Sequence, residues 1–126
     1  MSVKFNIVER GNPSNREAPK KFYPSIQSTG RVTTREMAEM AAQRSTLSTM
    51  DMMAAIEGFL AIIPEQLSKG NIVELGDFGN FWLRIESDGA EAADSVNASQ
   101  ITGTMPRFNP GKVFKRTIDQ IDFSKS

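Results

Sequence analysis

The strongest constraint in this sequence is an apolar stripe. Met52, Met53, Ile56, Phe59, Leu60, Ile63 and Leu67 recur at spacings of three and four. That period predicts a long helix with one face to bury. Both ends of the helix carry a signal. Ser48, with Asp51 three residues on, is placed to cap its start. Gly70 after Lys69 is placed to end it in the left-handed conformation. Pro64 lies inside the stripe, and its ring and missing N–H predict a kink there or a split after Ile63.

Beyond Gly70 the period drops to two. Ile72–Leu75 predicts a strand and Gly76-Asp77-Phe78-Gly79 a tight turn. Asn80–Glu86 predicts a second strand, with Phe81, Leu83 and Ile85 on one face. The two glycines let the chain reverse while Phe78 and Phe81 stay available for burial. Asp77 reads as a turn residue bonding its own backbone, not as an acid catalyst. Residues 87–99 are polar and rich in Ala, Asp and Ser, which predicts a mobile or partly helical connection. Gln100–Phe108 predicts a third strand. Asn109-Pro110 has the order of an N-cap followed by Pro at the first helical position. The last helix then runs to about Ile121 on Val113, Phe114, Ile118 and Ile121.

Upstream of the stripe, Thr33 and Glu36 have capping-box spacing. They open a shorter helix that carries Met37, Ala38, Met40 and Ala41 to about Arg44. The methionines read as packing residues of this helix pair. Val3, Phe5 and Ile7 alternate as in a strand, and Gly11–Asn15 is a loop signal. Lys20–Ile26 predicts a second strand that Pro24 demotes to an edge or an irregular segment. No internal repeat is visible.

Composition removes whole classes of chemistry. The chain has no Cys and no His among its 126 residues. That excludes disulfides, thiolate nucleophiles, the usual zinc sites and Ser-His-Asp chemistry. No phosphate-cradling glycine loop is visible, and the scattered carboxylates have no suggestive spacing, so the chain is not expected to be an enzyme or to need a cofactor. The start has no apolar core of a signal peptide. The longest apolar run, Phe59–Ile63, is too short to cross a bilayer. A soluble, cytoplasmic chain is expected, with no membrane partner and no small-molecule substrate.

Charge is neutral in total, with 15 basic and 15 acidic residues, but unevenly spread. Residues 1–35 are net +5, residues 36–99 net −8, and residues 100–126 net +3. Two basic ends therefore flank an acidic middle, and a phosphate-contacting surface survives the neutral total if the ends share a face.

Two helices, a hairpin turning on Gly-Asp-Phe-Gly, a third strand and a last helix form a recognisable order. With Leu67–Leu75, then Gly76–Phe81, then Arg107-Phe108-Asn109-Pro110-Gly111-Lys112, the sequence resembles the HU/IHF superfamily of bacterial histone-like DNA-binding proteins. It is most similar to the longer HU-related proteins of Bacteroidetes. The resemblance covers about Thr33 to Ile121. It implies an α+β fold: an N-terminal helix pair, a three-stranded antiparallel sheet with a β-arm, and a C-terminal helix. Residues 32–126 would form the HU-like domain and residues 1–31 an N-terminal strand or hairpin extension.

The resemblance also implies a homodimeric, nucleoid-architecture protein. It would bind the DNA phosphate backbone with little sequence preference. Lys112 matches the family's Pro-Gly-Lys position. Lys115 and Arg116 follow on the first turns of the last helix, whose N-terminus offers N–H groups to an anion. Arg84 and Arg107 sit on the strands of the family's DNA-facing saddle. Apart from the resemblance, Lys20 and Lys21 beside Phe22 and Tyr23 mix cations and aromatics as single-strand binders do, but packing of Phe22 and Tyr23 onto the sheet is the preferred reading of that cluster. The arm departs from the family. Residues 86–99 contain no Pro, Arg or Lys but carry Glu86, Asp88, Glu91 and Asp94. This leaves a second reading, an HU-fold interaction module that has lost DNA. The dimer has a physical motive too, because one chain is not expected to cover Phe59, Ile63, Phe81 and Leu83.

Overall fold

The computed structural model describes Ser2–Ser126 and separates the chain into two packing units. One runs through Val32 and includes Thr117–Ser126; the other is Thr33–Arg116.

The first unit is a three-stranded sheet. Strand β1 (Ser2–Arg10) is central, with β2 (Lys21–Ile26) antiparallel on one side. Pro24 sits within β2, opposite Ile7. An edge strand can hold it because its missing N–H need not serve a further neighbour. The other edge is β6 (Asp122–Lys125), parallel to β1. Sequence reasoning places nothing after the last helix, so β6 is an addition. Its pairing with Ser2–Phe5 joins the two ends of the chain, and no local pattern announces it. Alternation makes this sheet two-faced. Val3, Phe5, Ile7, Phe22, Pro24, Ile26 and Phe123 share one side; Lys4, Asn6, Arg10, Lys21 and Tyr23 share the other.

The second unit opens with α1 (Thr34–Ala42) and α2 (Thr49–Ser68), which pack on each other. Both caps form as their residues predict. Thr33 Oγ1 accepts the Glu36 N–H at 3.2 Å, and Ser48 Oγ accepts the Asp51 N–H at 3.1 Å. Gly70, at φ 85°, closes α2 in a Schellman arrangement. Its N–H donates to the Leu67 carbonyl at 2.9 Å, and the Asn71 N–H reaches the Gln66 carbonyl at 3.2 Å. The split predicted after Ile63 does not occur, since α2 runs without a break through Pro64. Proline removes one backbone bond, and the turns on either side hold the ladder.

The remainder is a second antiparallel sheet in the order β3 (Val73–Glu74), β4 (Gly79–Ser87), β5 (Ile101–Pro110). The expected strand at Ile72–Leu75 shrinks to two residues because only Val73 and Glu74 find partners, at Phe81 and Asn80. Gly76–Phe78 is a 3-10 turn, with Gly76 at φ 58°. Pairing of β4 with β5 continues past Phe81, the last residue of β4 that β3 reaches, to Ser87↔Ile101. The connection beyond it folds into short 3-10 turns at Ala93–Ser95 and Ala98–Gln100, in line with the partly helical segment expected there. The expectation at Asn109-Pro110 is corrected, because both residues are strand, not N-cap and first helical turn. They pair with Asn80 and Gly79, and α3 starts later, at Lys112, with the Gly111 carbonyl taking the Lys115 N–H at 2.9 Å. Helix α3 ends at Asp119, short of Ile121.

The hairpin and α3 are joined by an aromatic cluster. Phe81 and Phe108 face each other across the strands at 4.9 Å between ring centres. Phe78 and Phe114 contact Phe108 at 5.3 and 5.4 Å, and each other at 5.1 Å. These are favourable offset and edge geometries. Elsewhere burial is sparse. Ala38 and Leu67 are the buried apolar side chains among the described residues, while Phe59 is 51% exposed and Met50 83%.

Candidate nucleic-acid interface

The strand register decides which cations act together. In β4–β5, Trp82 stands opposite Arg107 and Arg84 opposite Met105. Residues directly opposite, and residues two apart, share a face. Arg84, Trp82 and Arg107 therefore lie on one side of the sheet. Phe81, Phe108, Leu83 and Ile85 lie on the other, where the aromatic cluster sits. Neither arginine forms an ion pair with a described residue; the ion pairs Arg35–Glu39 and Lys69–Glu65 lie on the helices. The face is not uniformly basic. Glu74 enters it beside Asn80, and Glu86 marks the end nearest the connection.

Trp82 belongs to this site and is missed by charge-based reading. Its position two residues before Arg84 was the available signal. The ring is half-buried, and its Nε1–H is buried with no partner among the described residues. An open groove of about 640 Å³ runs past it, lined also by Leu67, Asn71, Ile72 and Leu83. Asn109 Nδ2 donates to Asn80 Oδ1 at 3.4 Å on the same sheet face.

The helix cations form a separate set. At 100° per residue, Lys112 and Arg116 each fall about 200° from Phe114, which is anchored in the cluster. They project away from the hairpin, and Lys115 lies on the flank. Lys112 is the first residue of α3, at its positive end, where an anion is favoured. Lys20 and Lys21 belong to the other unit, Lys21 within β2 opposite Arg10 and Lys20 just before it. Of the seven cations singled out in the sequence, Arg84 and Arg107 share one face and Lys112, Lys115 and Arg116 share one helix. Lys20 and Lys21 stand with the N-terminal sheet.

This framework has relatives. The family described as "HU domain fused to wHTH, Ig, or Glycine-rich motif" matches residues 1–125. The chain belongs to that HU family. HU-alpha from Escherichia coli is 29% identical over 85 residues, which cover 66% of this HU-family chain and 94% of the relative. Two solved structures share the fold. HU from Anabaena, crystallised with DNA, superposes with a TM-score of 0.57 at 20% identity, over 71% of this chain and 99% of that one. A candidate bacterial DNA-binding protein from Bacteroides vulgatus gives a TM-score of 0.67 at 13% identity, over 98% of this chain. The chain spans about half of that protein, 47% of its length.

Proposed function

We propose that this HU-family chain is a non-enzymatic, DNA-binding architectural protein of the bacterial cytoplasm and nucleoid, acting as a homodimer. It would hold the phosphate backbone with little sequence preference. The observation that carries this reading is the pair of unpaired arginines, Arg84 and Arg107, on the sheet face opposite the aromatic cluster. Guanidinium groups on a strand pair can contact successive phosphates without reading bases. Lys112, Lys115 and Arg116 on α3 would extend the contact to flanking phosphates.

The homodimer is supported by what one chain leaves open. Helix α2 buries only Leu67 from its stripe, while Phe59 and Leu83 are exposed and Ile63 and Phe81 half-buried. A second copy packed over α1 and α2 would cover this surface.

A gel shift with duplex DNA at low and at physiological salt tests the reading. A shift at low salt that weakens at higher salt is expected. No shift at either, with folded dimer present, would overturn it. The acidic connection favours one competing reading, an HU-fold interaction module without DNA. Glu86, Asp88, Glu91 and Asp94 would repel phosphate, and residues 88–100 contain no proline to wedge between bases. That reading expects a protein partner in a pull-down and no nucleic acid. On either reading, proline-driven kinking by an arm tip is not expected of this chain.

A further inference from the structure

The polar side of the N-terminal sheet carries a cleft that the HU-like reading does not use. Arg10 stands directly opposite Lys21, and Tyr23 follows two residues later on the same face. Like charges directly opposed across a hairpin are unfavourable by themselves. Among the described residues, no acidic side chain lines the cleft beside them. Glu9 points to the apolar face, opposite Phe22, and Glu17 does not line the cleft. Neither Arg10 nor Lys21 forms an ion pair with a described residue.

Between these side chains and the hairpin connection lies a cleft of about 380 Å³, lined by Arg10, Asn12, Pro13, Lys21 and Tyr23 among others. Its wall is pre-formed by local bonds. Asn12 Oδ1 accepts the Ser14 N–H at 2.9 Å, Asn15 Oδ1 accepts the Glu17 N–H at 3.1 Å, and the Ala18 N–H donates to the Asn15 carbonyl at 3.2 Å. Tyr23 is 44% exposed, with its ring available in the cleft.

We propose that this cleft binds single-stranded nucleic acid. One base stacks on Tyr23 while the adjoining phosphates are held by Arg10 and Lys21. Lys4, on the same face of β1, extends the cationic track along the strand. An aromatic ring between cations suits a strand whose base faces are open, and a duplex keeps those faces covered. The site lies wholly in the first unit and stands independently of the arginine face on β4–β5.

Anisotropy titrations of the full chain with labelled oligo(dT), and with a labelled duplex of equal length, test the proposal. Tyr23→Leu is expected to weaken oligo(dT) binding by about tenfold, the scale of one lost base stack, and to leave duplex binding unchanged. Tyr23→Phe should retain it. Arg10→Gln with Lys21→Gln should lower the salt slope for oligo(dT) by about 1.4, that is about 0.7 for each of two phosphates. This second variant decides the matter if Tyr23→Leu fails to fold by circular dichroism. Absence of oligo(dT) binding at low salt, or wild-type affinity in a folded variant, would overturn the proposal. So would loss of oligo(dT) binding on Arg84→Gln with Arg107→Gln alone. Loss of duplex binding only, in that last variant, would leave this cleft intact and bear on the HU-like face instead.

Discussion

At Gly79 a Cβ would overlap the carbonyl oxygen of Asn109, and at Gly111 one would overlap that of Asp77. The turn before β4 and the entry to α3 therefore approach backbone to backbone, and the Gly111 N–H donates to the Phe78 carbonyl at 2.8 Å. Gly79 also stands at φ 140°, where L side chains rarely go. Gly79→Ala or Gly111→Ala should each cost about 2–4 kcal/mol, read as a lowered denaturation midpoint. Gly58 makes the opposite case. It lies in α2, about 200° from Ile56 and hence away from the stripe, and an added Cβ would meet nothing within 4 Å. Gly58→Ala should stabilise by about 0.5–1 kcal/mol. Equal effects at Gly58 and Gly79 would refute the close-approach explanation.

Caps decide where the helices begin, and each is testable alone. Ser48→Ala should cost about 1 kcal/mol of unfolding free energy by losing the acceptor for the Asp51 N–H. No change in a urea melt would count against the cap. Elements whose signals are local could be read directly. Thr33, Ser48 and Gly70 carry their conformations in their own chemistry, and β4 carries its faces in a period of two. What could not be read depends on distant partners. Strand β6 exists because Asp122–Lys125 pairs with Ser2–Phe5, and Phe123 alone gives no strand pattern. Asn109-Pro110 has the composition of a helix start, but pairing with Asn80 and Gly79 holds it extended. The candidate site follows the same division. Arg84 and Arg107 were legible as strand cations, while their common face with Trp82 required the register. The cleft at Arg10 required the pairing with Lys21.

For the whole molecule, the exposed stripe on α2 is the feature that one chain leaves unsatisfied. If a second copy covers it, Phe59→Arg should shift the species seen in analytical ultracentrifugation from dimer to monomer and lower stability together. A wild-type chain that sediments as a stable monomer would remove the homodimer from the account. The central claim is duplex DNA binding through Arg84 and Arg107, and its most direct measurement is duplex affinity as a function of salt. Wild-type protein should give a linear fall of log K with log salt concentration. Arg84→Gln with Arg107→Gln should reduce that slope by about 1.8, two phosphate contacts at about 0.9 each, with the fold retained. A folded double variant with the wild-type slope, or a wild-type dimer with no affinity at low salt, would contradict it.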